Sequence, residues 1–556
     1  MSAKGMDGAR VSRRGFIGGA AVLAATAAAG MAGCAPKGKA GDDRAMGAKG
    51  AEQAKAVARE KADSTMQADI VVVGAGGAGM WAAVEAADAG KRVIVVEKGQ
   101  DVGVSNGSLA GGPFVVGSRL QKEAGIGITV NEAVRHIMEY AHWATNAPAI
   151  RAAVELSGNT VDRFTDDFGV PTGLRPDNYG AGHASVRSNF QSDPKNGKTQ
   201  KKGVDRMGPL QAYVEGKGGQ FLFEHTGRAL LTSDGVVTGV QCEANGKVVN
   251  IEAAQTIVCT GGFLGSPEKM VERFGTHVNP LGNILSVGEG IDMVQAVGGQ
   301  VGTQWGIAGN EFSGSNQNAN GVWGRTNAAF ALGIYGTLLV NNQGRRFSNE
   351  GRFANLPLAL GGAISLVGGQ YYAVVDQAYL DGLASGLDAW TLCGSDEENW
   401  PTGKMTLQGK PLEKVQESVD AAIAEGWAFK ADSIDALAQS IGAPDLVETV
   451  GEYNGFCAAG EDGRFFKPAC FLRSIEQGPF YAFQYEPSAW VTIGGIRTND
   501  RLQAIDARGV PIRGLFVAGA DNGTLMSAPY CDYEGYSLMC AYNGGRLAGR
   551  YAAALA

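Results

Sequence analysis

The chain has 556 residues, 44% hydrophobic and 19% charged, enough apolar material for two packed domains and too much for wholesale disorder. A formal net charge of −8, with no basic stripe in the globular part, argues against nucleic acid as a partner. The eight cysteines include no C-x-x-C and no C-x-x-C-H, which speaks against c-type haem and C-x-x-C zinc, and no metal site is expected.

The first element is an address. Ser12-Arg13-Arg14-Gly15-Phe16-Ile17 resembles a twin-arginine export signal, and the Ala/Gly-rich apolar stretch Gly18–Met31 follows it. That stretch is too short and too poor in Leu and Ile to span a membrane. Met31-Ala32-Gly33-Cys34 also resembles a lipobox, with Met in the place usual for Leu. Either Cys34 carries a lipid, the chain's one expected membrane contact, or simple cleavage occurs nearby. Residues 1–34 are thus read as a signal peptide, and the protein as periplasmic or cell-envelope bound. Residues 35–67 are rich in Ala, Lys, Gly and Asp, without a strong apolar pattern, and read as a flexible tether.

The stretch from Ala68 to Gly99 carries the strongest local signal. Ile70–Val73 is a β-branched run suited to a buried parallel strand. Gly74-Ala75-Gly76-Gly77-Ala78-Gly79 fits G-x-G-x-x-G, and Met80–Ala89 has the spacing of a helix packed on a sheet. Val93–Val96 is a second buried strand, ending in Glu97 and Lys98. Gly74 allows a tight turn, Gly76 lets the backbone approach a pyrophosphate, and Gly79 lets helix and strand close up. Glu97 stands where a carboxylate accepts hydrogen bonds from a ribose. This arrangement predicts a dinucleotide site, with NAD and FAD both open.

Further motifs follow in order. They are the loop Ser105-Asn106-Gly107-Ser108-Leu109-Ala110-Gly111-Gly112, the strand and turn Thr256–Gly262, and Gly288–Met293. Then come Asn341–Glu350 (NNQGRRFSNE), Gly494-Gly495-Ile496, Gly514–Asp521 and Gly535-Tyr536-Ser537-Leu538. Together they resemble the fumarate reductase/succinate dehydrogenase flavoprotein family, in particular its soluble exported members and the related 3-ketosteroid dehydrogenases. The resemblance runs from about Ala68 to the C-terminus. It implies FAD rather than NAD, and an α/β fold in which a Rossmann-like FAD-binding domain carries an inserted α+β capping domain. The FAD-binding domain would comprise residues 68–301 and 492–556, and the mobile capping, substrate-binding domain residues 302–491. By the same resemblance Gly74, Gly76, Gly77, Ala78, Gly79, Glu97 and Lys98 would hold the ADP half. Ser105, Asn106, Ala110, Gly111 and Gly112 would line the pyrophosphate and flavin, with Gly261 and Gly262 beside them. Asp521 would contact the ribityl chain, and Ser537 and Leu538 would supply backbone donors near the flavin O2. Covalently flavinylated members carry His where this chain has Ser105, so non-covalent FAD is implied.

The family's dicarboxylate site is not reproduced. Where a His precedes the late T-M-G-G, this chain reads Trp490-Val491-Thr492-Ile493-Gly494-Gly495. The substrate-clamping Arg falls at Asp532 or a neighbour, and the proton-donating Arg at Tyr379 or Leu380. Asp532 and Glu534 without matched Arg or His would repel a dicarboxylate, so fumarate is not the expected substrate. Tyr379, Tyr530, Tyr533 and Trp490 suggest an aromatic pocket for a flat, mostly neutral molecule. The expected chemistry is hydride transfer from reduced flavin to an activated C=C, with an acid protonating the adjacent carbon. The candidate acids are Tyr533 and Tyr530, then Tyr379, with core packing as the alternative for each, and Asp532 could orient one of them. Glu350 with Arg352 resembles the family's proton relay, with a structural ion pair as the alternative. Ordinary surface or core roles are expected of His136, His142, His183, His225 and His277, and packing as a small hydrophobe of Cys259. Electrons would come from a separate c-type cytochrome or quinol-linked membrane protein. Two other functional readings stand beside this reductase: a flavin dehydrogenase desaturating a ketosteroid-like substrate, and a non-catalytic flavin electron carrier or binding lipoprotein.

Overall fold

A computed structural model describes residues 60–110, 112–176, 186–190, 205–276, 278–280, 282–308, 311–314, 336–351, 370–385, 414–531, 533 and 535–556. The export signal, Cys34, Gly111, Arg352, Asp532 and Glu534 lie outside them.

Strand β1 runs Ser64–Val73. Its second half, Ile70–Val73, pairs in parallel with strand β2, Val93–Val96, on one side and with Gln255–Val258 on the other. A β-branched run is the expected filling for a strand covered on both faces. The first half pairs only with Val249–Ala253, so its polar residues stay at the surface. This corrects the tether reading of residues 64–67: a strand partner gives them a fixed conformation without burying them.

Helix α1, Gly77–Asp88, begins three residues before Met80, because the turn at Gly74 (φ +104°) feeds straight into it. It is buried from Gly77 through Ala87, with the sheet on one side and the C-terminal helix Tyr536–Leu555 on another. The two helices cross at glycines. A Cβ at Gly545 would lie 2.0 Å from the Ala78 carbonyl oxygen, and one at Gly549 would lie 2.5 Å from that of Ala82.

The chain continues through β3 (Gln220–Leu222), β4 (Thr226–Ser233), β5 (Val236–Ala244) and β6 (Lys247–Val258). It then passes through β7 (Gly306–Ala308), β8 (Leu338–Asn341), β9 (Tyr371–Asp376), β10 (Ala428–Ala431) and β11 (Phe480–Ala489). It returns through β12 (Val491–Ile493), β13 (Gln503–Ile505) and β14 (Pro511–Val517). Among the described residues the larger sheet has eight strands, in the order β13-β14-β6-β1-β2-β3, with β5 and β4 continuing from β6. Strands β14, β6, β1, β2 and β3 are parallel.

A second, largely antiparallel sheet is built on β11, β9 and β8, with β10, Glu311–Gly314 and Asn279–Pro280 also pairing to β11. Its strands alternate in the period of two that a two-faced sheet requires. Tyr371, Ala373 and Val375 enter one core with Trp427 and Phe483, while Tyr372 and Val374 enter another with Leu437 and Tyr453. The two chain segments that run between the sheets pair with each other, Gly306 opposite Ile493 and Ala308 opposite Val491. The architecture is thus an α/β dinucleotide-type sheet with an inserted α+β unit.

Candidate functional site

The parallel strands end along one line, and the residues that follow them line one cleft. Gly74 follows β1, Glu97 follows β2, His225 lies just beyond β3, Cys259–Gly261 follow β6, and Gly519 and Ala520 follow β14. From β1 the chain moves outward to β2 and β3, then returns to lay β6 and β14 on the other side. Such a switch point opens a crevice at the carboxyl ends of the strands.

Backbone geometry shapes this crevice. At Gly74 a Cβ would lie 2.4 Å from the Cys259 carbonyl oxygen, and at Gly79 it would lie 1.8 Å from that of Gly74. At Gly76 the nearest atom, Ser105 Cβ, is 3.8 Å away, so the room in front of this glycine belongs to the cleft. Gly77 and Ala78 at the start of α1, and Ser537 and Leu538 at the start of the C-terminal helix, line the same space. Two positive helix ends therefore meet there, a favourable setting for phosphates and developing anions.

Glu97 braces the fingerprint. Its Oε2 accepts from Ala75 N at 2.8 Å and its Oε1 from Gly99 N at 2.7 Å. Each oxygen retains acceptor capacity toward the cleft. Lys98 Nζ donates to Glu289 Oε1 at 2.5 Å. Ser105 is buried beside the cleft, and its hydroxyl has no hydrogen-bond partner among the described residues. A buried polar group in that condition is a place where a ligand atom completes the site. With the open glycine at Gly76 and the two helix ends, it makes the crevice fit FAD.

Some of the expected cofactor residues stand one step behind the lining. Asp521 is fully buried, and its Oδ2 accepts from Thr260 N and from Thr260 Oγ1. Its Oδ1 accepts from Gly262 N at 2.9 Å. Burial raises its pKa against these donors. The carboxylate thereby shapes the turn Gly261-Gly262 (φ +94° and +78°), of which Gly261 lines the cleft. The Ala110 carbonyl accepts from Arg206. The Gly112 carbonyl backs Gly535, where an added Cβ would lie 2.3 Å from its oxygen.

Sequence reasoning missed Arg206 and Tyr542. Arg206 also donates to the Ser108 carbonyl at 3.0 Å, and Tyr542 OH donates to the Gly107 carbonyl at 2.8 Å. Together they clamp the second glycine-rich loop from behind, and no local motif announces either. His225 and Cys259, expected to have ordinary roles, both line the cleft. Burial raises the Cys259 thiol well above its usual pKa.

The proton-donor candidates separate. The Tyr530 hydroxyl accepts from the N–H of the lining residue Ser537 at 3.1 Å, and burial pushes its pKa up to about 12. Tyr533 instead stacks on Phe114, with centroids 4.2 Å apart, and packs on His136 at 4.6 Å inside the apolar core. Tyr379 lies in the core of the second sheet with Tyr371 and Trp427. None of the three tyrosines is itself among the lining residues; Tyr530 bonds to one. Glu350 is buried and pairs bidentately with Arg346, at 2.9 and 2.8 Å, while Arg352 lies outside the described residues. The charged lining residues Glu97, Lys98 and Glu289 gather at the β2 side. Val491, Met526, Leu538 and Ala541 line the cleft elsewhere, and no Arg is among the described lining residues.

The FAD binding domain family matches residues 69–537. Vinyl phenol reductase of Lactiplantibacillus plantarum is 29% identical over 504 residues, covering 87% of this chain and 96% of that protein. Digoxin reductase of Eggerthella lenta is 26% identical, covering 98% and 97%. Urocanate reductase of the same organism is 27% identical, covering 90% and 77%. Among solved structures, a 3-ketosteroid-Δ4-(5α)-dehydrogenase from Rhodococcus jostii superposes with a TM-score of 0.64 at 23% identity, covering 89% of this chain and 98% of that one. A flavocytochrome c3 fumarate reductase in its open conformation gives 0.59 at 22%, covering 89% and 79%. These structural likenesses establish the shared fold.

Proposed function

Because the chain belongs to the FAD binding domain family and is an FAD-dependent oxidoreductase, we propose that it reduces an activated C=C of a neutral, aromatic or conjugated organic acceptor other than fumarate. The observation that carries this reading is the cleft lining itself, apolar at Val491, Met526 and Leu538. A dicarboxylate needs paired cationic forks to offset its desolvation. The match along nearly the whole chain to a protein named for vinyl phenol, an aromatic alkene, supports the same class.

FAD supplies, once reduced, a hydride from N5. This chain's own residues hold and protonate. Gly74–Gly79 and Glu97 would hold the adenosine and phosphate end, and the Ser105 hydroxyl the neighbouring part. Tyr530 accepts from Ser537 N, a contact that does not use its own O–H. Its raised pKa keeps it neutral at pH 7. After it donates, the phenolate would face the N–H of Ser537 at a helix N-terminus, where a negative charge is stabilised. Tyr530 is therefore the proton donor of this reading, in preference to Tyr533 and Tyr379.

The reading includes non-covalent FAD, since Ser105 offers a hydroxyl and not an imidazole. It also includes export by the twin-arginine route, a lipid on Cys34, and electron delivery from a separate cytochrome or quinol-linked protein. The test is anaerobic stopped-flow. Viologen-reduced, FAD-loaded protein should be reoxidised by 4-vinylphenol-type alkenes and not by fumarate. Tyr530→Phe should slow that step about 100-fold with FAD retained. Faster reoxidation by fumarate than by any neutral alkene would overturn the substrate class.

A further inference from the structure

The segment that returns from the second sheet meets the cofactor cleft at three consecutive residues. The Trp490 carbonyl accepts from Asn106 Nδ2 at 2.7 Å. Val491 lines the cleft. Thr492 is fully buried, and its Oγ1 accepts from Phe263 N at 3.2 Å. The fit is tight on both sides. A Cβ at Gly262 would lie 2.2 Å from Thr492 Oγ1, and one at Gly282 would lie 2.1 Å from the Trp490 carbonyl oxygen. Asn106 also reaches the other way, its Oδ1 accepting from Asn283 N at 2.8 Å. One side chain thus ties the second glycine-rich loop to two other segments. Trp490 in turn donates from its N–H to Ala308 O at 2.9 Å, and β11 ends one residue before it.

We propose that Asn106 and Thr492 are positioning residues that link occupancy of the FAD cleft to the order of the second sheet. The inference rests on the FAD reading above. Asn106 lies between the unpartnered Ser105 and Gly107, and both neighbours line the cleft. Phe263 follows the turn that Asp521 holds, of which Gly261 is also a lining residue. Ligand contacts that immobilise these two loops therefore immobilise the donors that grip Trp490 and Thr492. A hydrogen bond between two fixed ends opens less often than one with a moving end. The coupling is reciprocal, so an ordered β12 also favours FAD.

Hydrogen exchange on the full-length protein, with and without FAD, tests this. In the unmodified chain FAD should slow exchange in Gly74–Gly79 and also, about five-fold, in β9 and β11, which do not line the cleft. Thr492→Val lacks the acceptor for Phe263. It should retain FAD protection at Gly74–Gly79 and lose it in β9 and β11. Thr492→Ser, which keeps the hydroxyl, should restore it. The inference fails if the unmodified chain shows protection confined to the cleft, or if Thr492→Val responds as it does. No FAD-dependent protection anywhere would instead overturn the cofactor reading.

Discussion

Single residues in this protein are explained by what a ligand would add to them. The Ser105 hydroxyl is buried with no partner, so its desolvation is already a cost to the folded chain, of order 1–3 kcal/mol. A bond made only to FAD would offset that cost. Ser105→Ala should therefore leave the melting temperature of the cofactor-free protein unchanged or slightly higher, while raising the FAD dissociation constant about five-fold. Scanning fluorimetry and flavin-quenching titration read the two effects separately. An equal fall in apo-protein stability would assign the hydroxyl to the fold instead. Glu97 is the contrasting case, since its carboxylate already holds Ala75 and Gly99 and organises the turn before any ligand arrives.

At the scale of elements, the second unit is held by an ion cluster that does not line the cleft. Arg346 grips Glu350 and Asp462, while Lys467 donates to Tyr453 OH at 2.8 Å and lies 3.8 Å from Glu350. Removing Arg346 would strand two buried carboxylates, a loss of about 3–5 kcal/mol. Burial pushes Lys467 down to about 8, against the pull of Glu350. Its unfolded value is near 10.5. Between those two pH values the unfolded chain binds the extra proton, so this residue makes stability rise with pH from about 8 toward 10.5. Comparing urea unfolding at pH 7.5 and 9.5 in the unmodified chain and in Lys467→Met isolates this contribution from the tyrosines and thiols that also titrate. The gain on raising the pH should be smaller in the variant. An identical gain would mean that Lys467 titrates normally. The same cluster decides the fate of Glu350: a buried carboxylate takes the cation that packing brings to it, and packing brings Arg346.

At the scale of the whole molecule, the cleft is assembled from the ends of β1, β2, β6 and β14, which lie at residues 73, 96, 258 and 517. No fragment contains it, so FAD binds a folded chain. Combined with the proposed Arg13-Arg14 export signal, this predicts that the cofactor is loaded before export. Changing both arginines to lysine should leave a yellow, FAD-loaded protein in the cytoplasm, read by fractionation and flavin fluorescence. Unchanged export would remove the signal reading. Cofactor-free protein in the cytoplasm would remove the order of loading.

Much of the cofactor end is legible in the chain itself. The Gly74–Gly79 spacing, the two β-branched strands and Glu97 specify a local βαβ turn, whose geometry depends on neighbours within thirty residues. Backbone conformation and period are local properties, and motif order extends them to the fold. The proton-donor end is decided only by tertiary contact. Tyr530, Tyr533 and Tyr379 are equal as residue types. Stacking on Phe114 takes Tyr533 into the core, the second sheet encloses Tyr379, and the start of the C-terminal helix ties the Tyr530 hydroxyl to the lining residue Ser537. Arg206 and Tyr542 clamp the loop at Gly107–Ala110 from positions about 100 and 435 residues away. Side-chain direction and hydrogen-bond partners depend on which distant elements pack together, and no spacing along the chain encodes that.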